Sequence, residues 1–164
     1  DRAFLALTNG TVAVFDEVTR KLMSGTSEIV GEDRLIVPAM NDTAIAAPTN
    51  IHGIDYDAES DALVLSDVGS ADSATDGKLY VLPDAGMAEG ITNMTVNIAG
   101  PMSMLGNPVD IMVSNGNVYV AEKSNGMILR FDDIMNAASG DVVPDYSVTF
   151  TAPESVAVLP AYLW

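Results

Sequence analysis

Short apolar runs of four to seven residues recur along the whole chain, and Gly, Pro, Asn and Asp separate them. The runs are rich in β-branched and aromatic residues, and runs of this length between turn-forming residues are typical of β-strands. Apolar residues at helical spacing are nearly absent, and only residues 132–138 allow one short helical turn. The pattern therefore predicts an all-β protein.

Three segments repeat one arrangement: an apolar strand, a Gly-containing turn and a second apolar strand that ends near an Asp. The glycine of each turn accepts the positive φ that a hairpin requires, at Asn9-Gly10, Asp76-Gly77 and Asn125-Gly126. The predicted strand pairs are 3–7 with 11–16, 62–67 with 78–82, and 117–122 with 127–132. Further strands are predicted before the later pairs, at 51–57, 108–114 and 153–159, and after each pair, at 34–37, 94–98 and 146–150.

The spacing of equivalent positions favours a propeller. Ile54 and Ile111 are 57 residues apart, and Ile111 and Val156 are 45 apart. A period of about 40–50 residues with four short strands is typical of propeller blades. We therefore predict a β-propeller portion of about three four-stranded blades, with bounds 1–47 (partial), 48–104 and 105–151, and the start of a further blade at 152–164. A sandwich or a β-solenoid is the alternative, but a sandwich would not restart each repeat with the same Pro-x-x-apolar entry and Gly hairpin.

Three blades do not close a ring of the usual 4–8, and an open ring leaves unpaired strand edges. We expect the remainder of a ring of about six blades to come from the same polypeptide or from a second copy of the chain. Residue 1 is Asp rather than Met, and residues 161–164 end the sequence on apolar side chains. These ends lead us to expect a processed chain or a fragment of a longer protein, and an expression boundary is the alternative.

Composition excludes several classes of function. The chain has 23 acidic and 7 basic side chains, a net charge of −16, which argues against binding nucleic acid or anionic membrane. The apolar runs are far shorter than the roughly 20 residues that span a bilayer. The absence of Cys excludes disulfides, zinc–thiolate sites and thiol nucleophiles, and one His excludes a multi-histidine metal site within the chain. This composition agrees with an extracellular or periplasmic location.

One repeat carries a family resemblance. Residues 107–113, 116–122 and 125–132 run through Pro, an apolar strand, Gly, Val-Tyr-Val-Ala with an acid, Asn-Gly, and a strand ending in Phe-Asp. This order resembles an NHL repeat, and residues 53–57 with 63–67 form a looser copy. Glu122 stands where that family usually has Asp. The resemblance implies a propeller fold but no particular chemistry, since propellers include binders, scaffolds and enzymes.

Candidate ligand-binding residues lie where the first strands of the predicted blades begin. The first strand of a propeller blade lines the central channel, and ligands usually bind at its mouth. The residues expected there are Asn50, His52, Asn107, Asp110 and Glu154. Asn50, Asp110 and Glu154 offer oxygen ligands that suit Ca²⁺. Lactonase-type propellers, which this architecture resembles, hold Ca²⁺ there with Glu, Asn and Asp; alternatively, these residues cap strand starts.

His52 is the one candidate general base, because histidine is the side chain that changes charge near neutral pH. It would need a carboxylate partner, for which Asp110 and Glu154 are the candidates. The alternative is a structural histidine. The Asp-containing loop 67–77 lacks the spacing of an EF-hand and is interpreted as a solvated hairpin loop.

Together these features predict a non-catalytic extracellular binding or assembly module. One alternative is a Ca²⁺-dependent lactonase-type hydrolase that uses Asn50, Asp110 and Glu154 on the metal, with His52 nearby. Another is a structural filament or surface-layer subunit whose free edge strands pair with neighbours.

Overall fold

The computed structural model of the chain describes residues 1–25, 31–47, 49–70 and 72–159. In this part the fold is all-β, as predicted, with one short helix, α1 (Val18–Met23). The strands are β1 (Arg2–Ala6), β2 (Val12–Asp16), β3 (Arg34–Met40), β4 (Thr43–Ala44), β5 (Ile51–Asp57), β6 (Ala62–Asp67), β7 (Lys78–Leu82), β8 (Gly90–Asn93), β9 (Val96–Ala99), β10 (Pro108–Ser114), β11 (Asn117–Glu122), β12 (Met127–Phe131) and β13 (Tyr146–Thr149). Two 3-10 turns, Pro101–Ser103 and Ile134–Asn136, complete the described elements, and the second lies in the predicted segment 132–138.

The strands form three sheets. The second sheet runs β5-β6-β7-β9 and the third runs β10-β11-β12-β13, both antiparallel throughout. The first sheet runs β1-β2-β3-β4, and β8 adds to β3 in parallel. Among the described residues no sheet closes on itself. We call β5 and β10, which begin the second and third sheets, the leading strands.

Most of the predicted strands are confirmed, and the structure departs from the prediction in one shifted strand, in elements that were not expected and in one strand that is not formed. The strand expected at 94–98 is observed at Val96–Ala99. Neither β8 nor α1 was expected, and β8 leaves the segment of the second sheet to pair with the first. Residues 153–159 form no regular strand: in the described structure no backbone ladder includes them, and their N–H groups at Val156 and Val158 donate to side chains of β10.

The sheets stack face to face, and the second sheet lies in the middle. Its alternating side chains enter two cores, since successive residues of a strand point to opposite faces. Leu63 and Leu65 pack with the first sheet, whereas Val64 and Val81 pack with the third. Strand β6 is therefore buried along its whole length. A strand that is buried on both faces needs apolar residues at successive positions, and Ala62–Leu65 supply them.

In the described residues no helix has the length and apolar character needed to span a membrane.

An ion-pair cluster holds the first sheet together. Asp16 on β2 bonds Arg2 on β1 and Arg34 on β3, and Arg34 Nη1 also donates to the Ala88 carbonyl at 2.5 Å. Hydrogen bonds from Arg34 and Arg2 lower the pKa of Asp16 from 3.8 to about 2.

This shift predicts acid-dependent stability. A carboxyl whose pKa is lowered by folding stabilises the protein above its unfolded pKa, and that contribution is lost as pH falls through the folded value. We expect Asp16→Asn to lower the free energy of unfolding near pH 6, and the difference from wild type to shrink between pH 4 and pH 2. Chemical unfolding between pH 6 and pH 2 measures this difference in the free energy of unfolding. The control is Asp72→Asn, which removes the charge of an exposed carboxyl. If the stability difference between Asp16→Asn and wild type did not change with pH, the lowered pKa of Asp16 would be contradicted.

Candidate functional site

A buried carboxylate, that of Asp67, lies at the end of β6 and accepts hydrogen bonds from the neighbouring loops. Asp67 is fully buried at the end of β6. Its Oδ1 accepts hydrogen bonds from the backbone N–H groups of Asn50 at 2.7 Å and Gly69 at 2.9 Å. Its Oδ2 accepts from the Tyr80 hydroxyl at 2.9 Å and lies 3.9 Å from Lys78 Nζ. Burial raises the pKa of Tyr80, with a further contribution from Asp67, so this phenol stays a hydrogen-bond donor.

The third sheet has a carboxylate at the equivalent place. Glu122 is also fully buried, at the end of β11. Its Oε1 accepts from the backbone N–H groups of Gly106 at 3.1 Å and Asn107, and its Oε2 accepts from Asn125 N–H at 2.6 Å. We call Asp67 and Glu122 the corner carboxylates. Each ties the loop before a leading strand to the loop after the second strand.

The leading strands are joined by polar contacts. The Ser66 hydroxyl on β6 accepts the N–H of Gly53 at 3.0 Å and donates to the Pro108 carbonyl at 2.7 Å. Asp55 Oδ2 accepts the N–H of Val113 at 2.6 Å. A buried hydroxyl and a carboxylate thus connect β5 to β10 without a shared backbone ladder.

The same relation is repeated beyond β10. Asp110 Oδ2 accepts the N–H of Val156 at 2.9 Å, and Met112 Sδ accepts that of Val158 at 3.0 Å. The side chain of Met112 therefore accepts the N–H of Val158 in the same way as the side chain of Asp55 accepts that of Val113. Residues 153–159 therefore contact β10 at one backbone N–H in the way that β10 contacts β5, and the equivalence of Ile111 and Val156 stays a prediction.

The structure gives the expected site residues different surroundings. Asn50 donates its backbone N–H to Asp67, and its Oδ1 is buried with no partner among the described residues. Asp110 accepts a backbone N–H, and Glu154 pairs with Lys123 at 2.5 Å. His52 lies exposed where the register of β5 shifts.

Within the four described ranges, no group of three or more His, Asp or Glu side chains could hold a metal ion. In the loop 67–77, Asp76 Oδ2 accepts the N–H of Ser70 and Asp67 accepts that of Gly69. Both carboxylates therefore order the loop backbone. The Ca²⁺ site of Asn50, Asp110 and Glu154, and the general-base role of His52, stay predictions.

A cleft of about 320 Å³ opens beside the Asp67 corner, between the first and second sheets. Lys78, Tyr80 and Asn97 line its polar side, and Asn97 Oδ1 is buried with no partner in the described part of the chain. Met40 and Met94 contribute apolar surface. An ammonium, a carbonyl oxygen and a methionine-lined wall are suited to a small polar ligand.

In the sequence, the acid at the end of β6 and β11 is visible only as part of the NHL-like pattern, which implied no role for it. The signal was the shared position of Asp67 and Glu122 after an apolar strand. The contacts of Tyr80 and Lys78 with Asp67 have no comparable signal in the sequence, because they depend on the register in which β7 pairs with β6.

No model of a known protein family matches this chain, and no curated protein matches it either.

Proposed function

We propose that the chain is a portion of a β-propeller with NHL-like blades and acts as a non-catalytic binding or assembly module outside the cytoplasm. The observation that carries this proposal is the repeated relation between consecutive leading segments, β5 to β10 and β10 to residues 153–159. Equivalent sheets related by such a repeated step are the building principle of a propeller.

The corner carboxylates support the assignment of blades. Asp67 and Glu122 occupy equivalent ends of β6 and β11, and each accepts backbone N–H groups from the loops on both sides. An acid at this position of the NHL-like pattern therefore has a structural role, because it accepts hydrogen bonds from backbone N–H groups of the loops that would otherwise be left without an acceptor.

The use of the acidic side chains supports a non-catalytic role. The carboxylate of Asp110 accepts a backbone N–H, and that of Glu154 pairs with a lysine. Catalytic acids and bases need a free reacting edge within reach of a substrate. One carboxylate oxygen of Asp110 and one of Glu154 are held by protein donors, which favours a structural use of these two side chains.

Thermal melting with excess Ca²⁺ and with a chelator tests this proposal against a Ca²⁺-dependent hydrolase. A ligand at a hundredfold excess over its Kd stabilises a protein by about 2.7 kcal/mol, which moves Tm by several degrees. We expect the Tm of wild type to change by less than about 1 °C, an effect too small for a resident ion. A larger shift that disappears in Glu154→Gln but persists in the exposed Glu59→Gln would overturn the proposal.

A further inference from the structure

The cleft beside the Asp67 corner has its polar side on one face of the second sheet. Lys78 and Tyr80 lie two residues apart on β7, and Asn97 of β9 is the cross-strand partner of Tyr80. Residues two apart on a strand, and residues directly opposite on neighbouring strands, point to the same face. The ammonium, the phenol and the amide therefore share the face that packs toward the first sheet, where they line a volume of about 320 Å³.

Lys78 has hydrogen-bond donors that the described structure leaves unused. Its Nζ lies 3.9 Å from Asp67 Oδ2, which is beyond hydrogen-bond distance, and it donates to no other side chain or carbonyl among the described residues. The two oxygens of Asp67 already accept two backbone N–H groups and the Tyr80 hydroxyl. Lys78 can therefore donate to a bound acceptor while the Asp67 carboxylate keeps its own contacts.

Asn97 has an acceptor that lacks a donor. Its Oδ1 has no partner in the described part of the chain, whereas its backbone N–H donates to Ser139 Oγ at 3.0 Å. An amide oxygen left unpaired costs free energy, so it favours a ligand that brings a donor. The last torsion of an asparagine side chain has a broad energy profile, and the amide therefore turns toward such a donor at low cost.

The charge of the lining favours a monoanion. The chain has 23 acidic and 7 basic side chains, but among the described residues that line the cleft the one charged side chain is that of Lys78. One ammonium pairs well with one carboxylate. The net charge of −16 opposes ligands that carry more negative charge than that.

The opposite wall of the cleft is apolar, and β8 holds it in place. Met40 at the end of β3, Ile45 after β4 and Met94 after β8 contribute this wall. The turn between β3 and β4 is fixed to the end of β8, since Asn93 Nδ2 donates to Asp42 Oδ1 at 2.7 Å and Asn93 Oδ1 accepts the Asp42 N–H at 2.9 Å. A wall that is fixed before a ligand arrives lowers the conformational entropy lost on binding.

We propose that this cleft binds a small α-hydroxy acid with an apolar side chain. The ligand carboxylate accepts hydrogen bonds from Lys78 Nζ, and its hydroxyl donates to Asn97 Oδ1. Its side chain packs against Met40, Ile45 and Met94. A hydroxyl fits better than an ammonium as the donor, because a second cation would lie beside Lys78. This inference rests on the proposed role as a binding module and names the class of its ligand.

A titration with the α-hydroxy analogue of leucine, followed in amide proton–nitrogen correlation spectra of the whole chain, tests this site. We expect saturable shifts with a Kd of about 1 mM. The same acid without its hydroxyl should bind about fivefold more weakly, and the methyl ester of the hydroxy acid, which has no charge, at least about tenfold more weakly. Absence of saturable shifts, or an ester that binds as well as the acid, would overturn the proposal.

Substitutions assign the two polar contacts. Lys78→Gln should weaken binding of the hydroxy acid by at least about tenfold. Lys123→Gln is the matched control, because Lys123 pairs with Glu154 and is not among the residues that line the cleft. Asn97→Leu should lower the affinity for the hydroxy acid to that for the acid without its hydroxyl, and it should leave the latter affinity unchanged.

A blocking variant keeps the test decisive if Lys78→Gln, which removes the cation beside the buried Asp67, loses its fold by circular dichroism. Ala44 is exposed on β4 and lines the cleft, so Ala44→Trp fills the site and leaves Lys78 and Asp67 in place. It should abolish binding. Binding that Ala44→Trp or Asn97→Leu leaves unchanged would overturn the site. None of these results alters the calcium melting test, which decides the proposed function separately.

Discussion

Glu122→Ala is expected to lower the free energy of unfolding by about 4 kcal/mol, because it removes the acceptor of three backbone N–H groups near the start of the third sheet. Each buried donor left without an acceptor costs about 1–3 kcal/mol, and water entering the vacated space recovers part of that cost. Urea unfolding at neutral pH measures the effect, and an unchanged m value would locate the loss in the folded state.

Two variants separate this role from the effect of charge alone. Glu122→Gln keeps one acceptor oxygen but brings an NH₂ group against backbone donors, so we expect it to recover only part of the loss. Glu154→Ala removes an exposed acid paired with Lys123, and exposed pairs contribute about 0–1 kcal/mol. If Glu122→Ala and Glu154→Ala cost the same, Glu122 would not be the loop anchor that its contacts indicate.

The strands could be predicted because their signals are local. Strands β10, β11 and β12 follow from alternating or continuous apolar runs and from the Asn125-Gly126 turn, where Gly126 has φ 63°. Strand β8 gave no such signal. It is short and exposed at alternate residues, and it exists because its backbone pairs in parallel with the distant β3.

The candidate site was harder to predict because its polar groups are defined by loop geometry. An acid after the second strand is visible in the sequence, but its donors come from residues 15 and 16 positions earlier, in the loop before β10. Asp110 was predicted as a metal ligand from its place on a leading strand. In the structure its carboxylate accepts a backbone N–H 46 residues later in the chain, a contact that no local pattern encodes.

Gly53→Ala is expected to destabilise the protein by about 3 kcal/mol, because the leading strands approach each other too closely at Gly53 for a side chain. A Cβ there would lie 2.5 Å from Ser66 Oγ and 3.0 Å from the backbone nitrogen of Ile111. It would displace the hydroxyl that joins Gly53 N–H to the Pro108 carbonyl. Gly90→Ala is the control: no atom lies within 4 Å of its Cβ position, and its φ of +65° alone should cost about 1 kcal/mol.

A double-mutant cycle shows whether the clash with Ser66 is the cause. Ser66→Ala alone should cost about 2 kcal/mol, since it leaves the Gly53 N–H and the Pro108 carbonyl without their bridge. In Gly53→Ala/Ser66→Ala the nearest clashing atom is gone, although the Ile111 nitrogen remains. We therefore expect the double variant to be more stable than the sum of the single effects by about 1–2 kcal/mol. Strict additivity would mean that the Ile111 backbone, rather than the Ser66 bridge, sets the distance between the two leading strands.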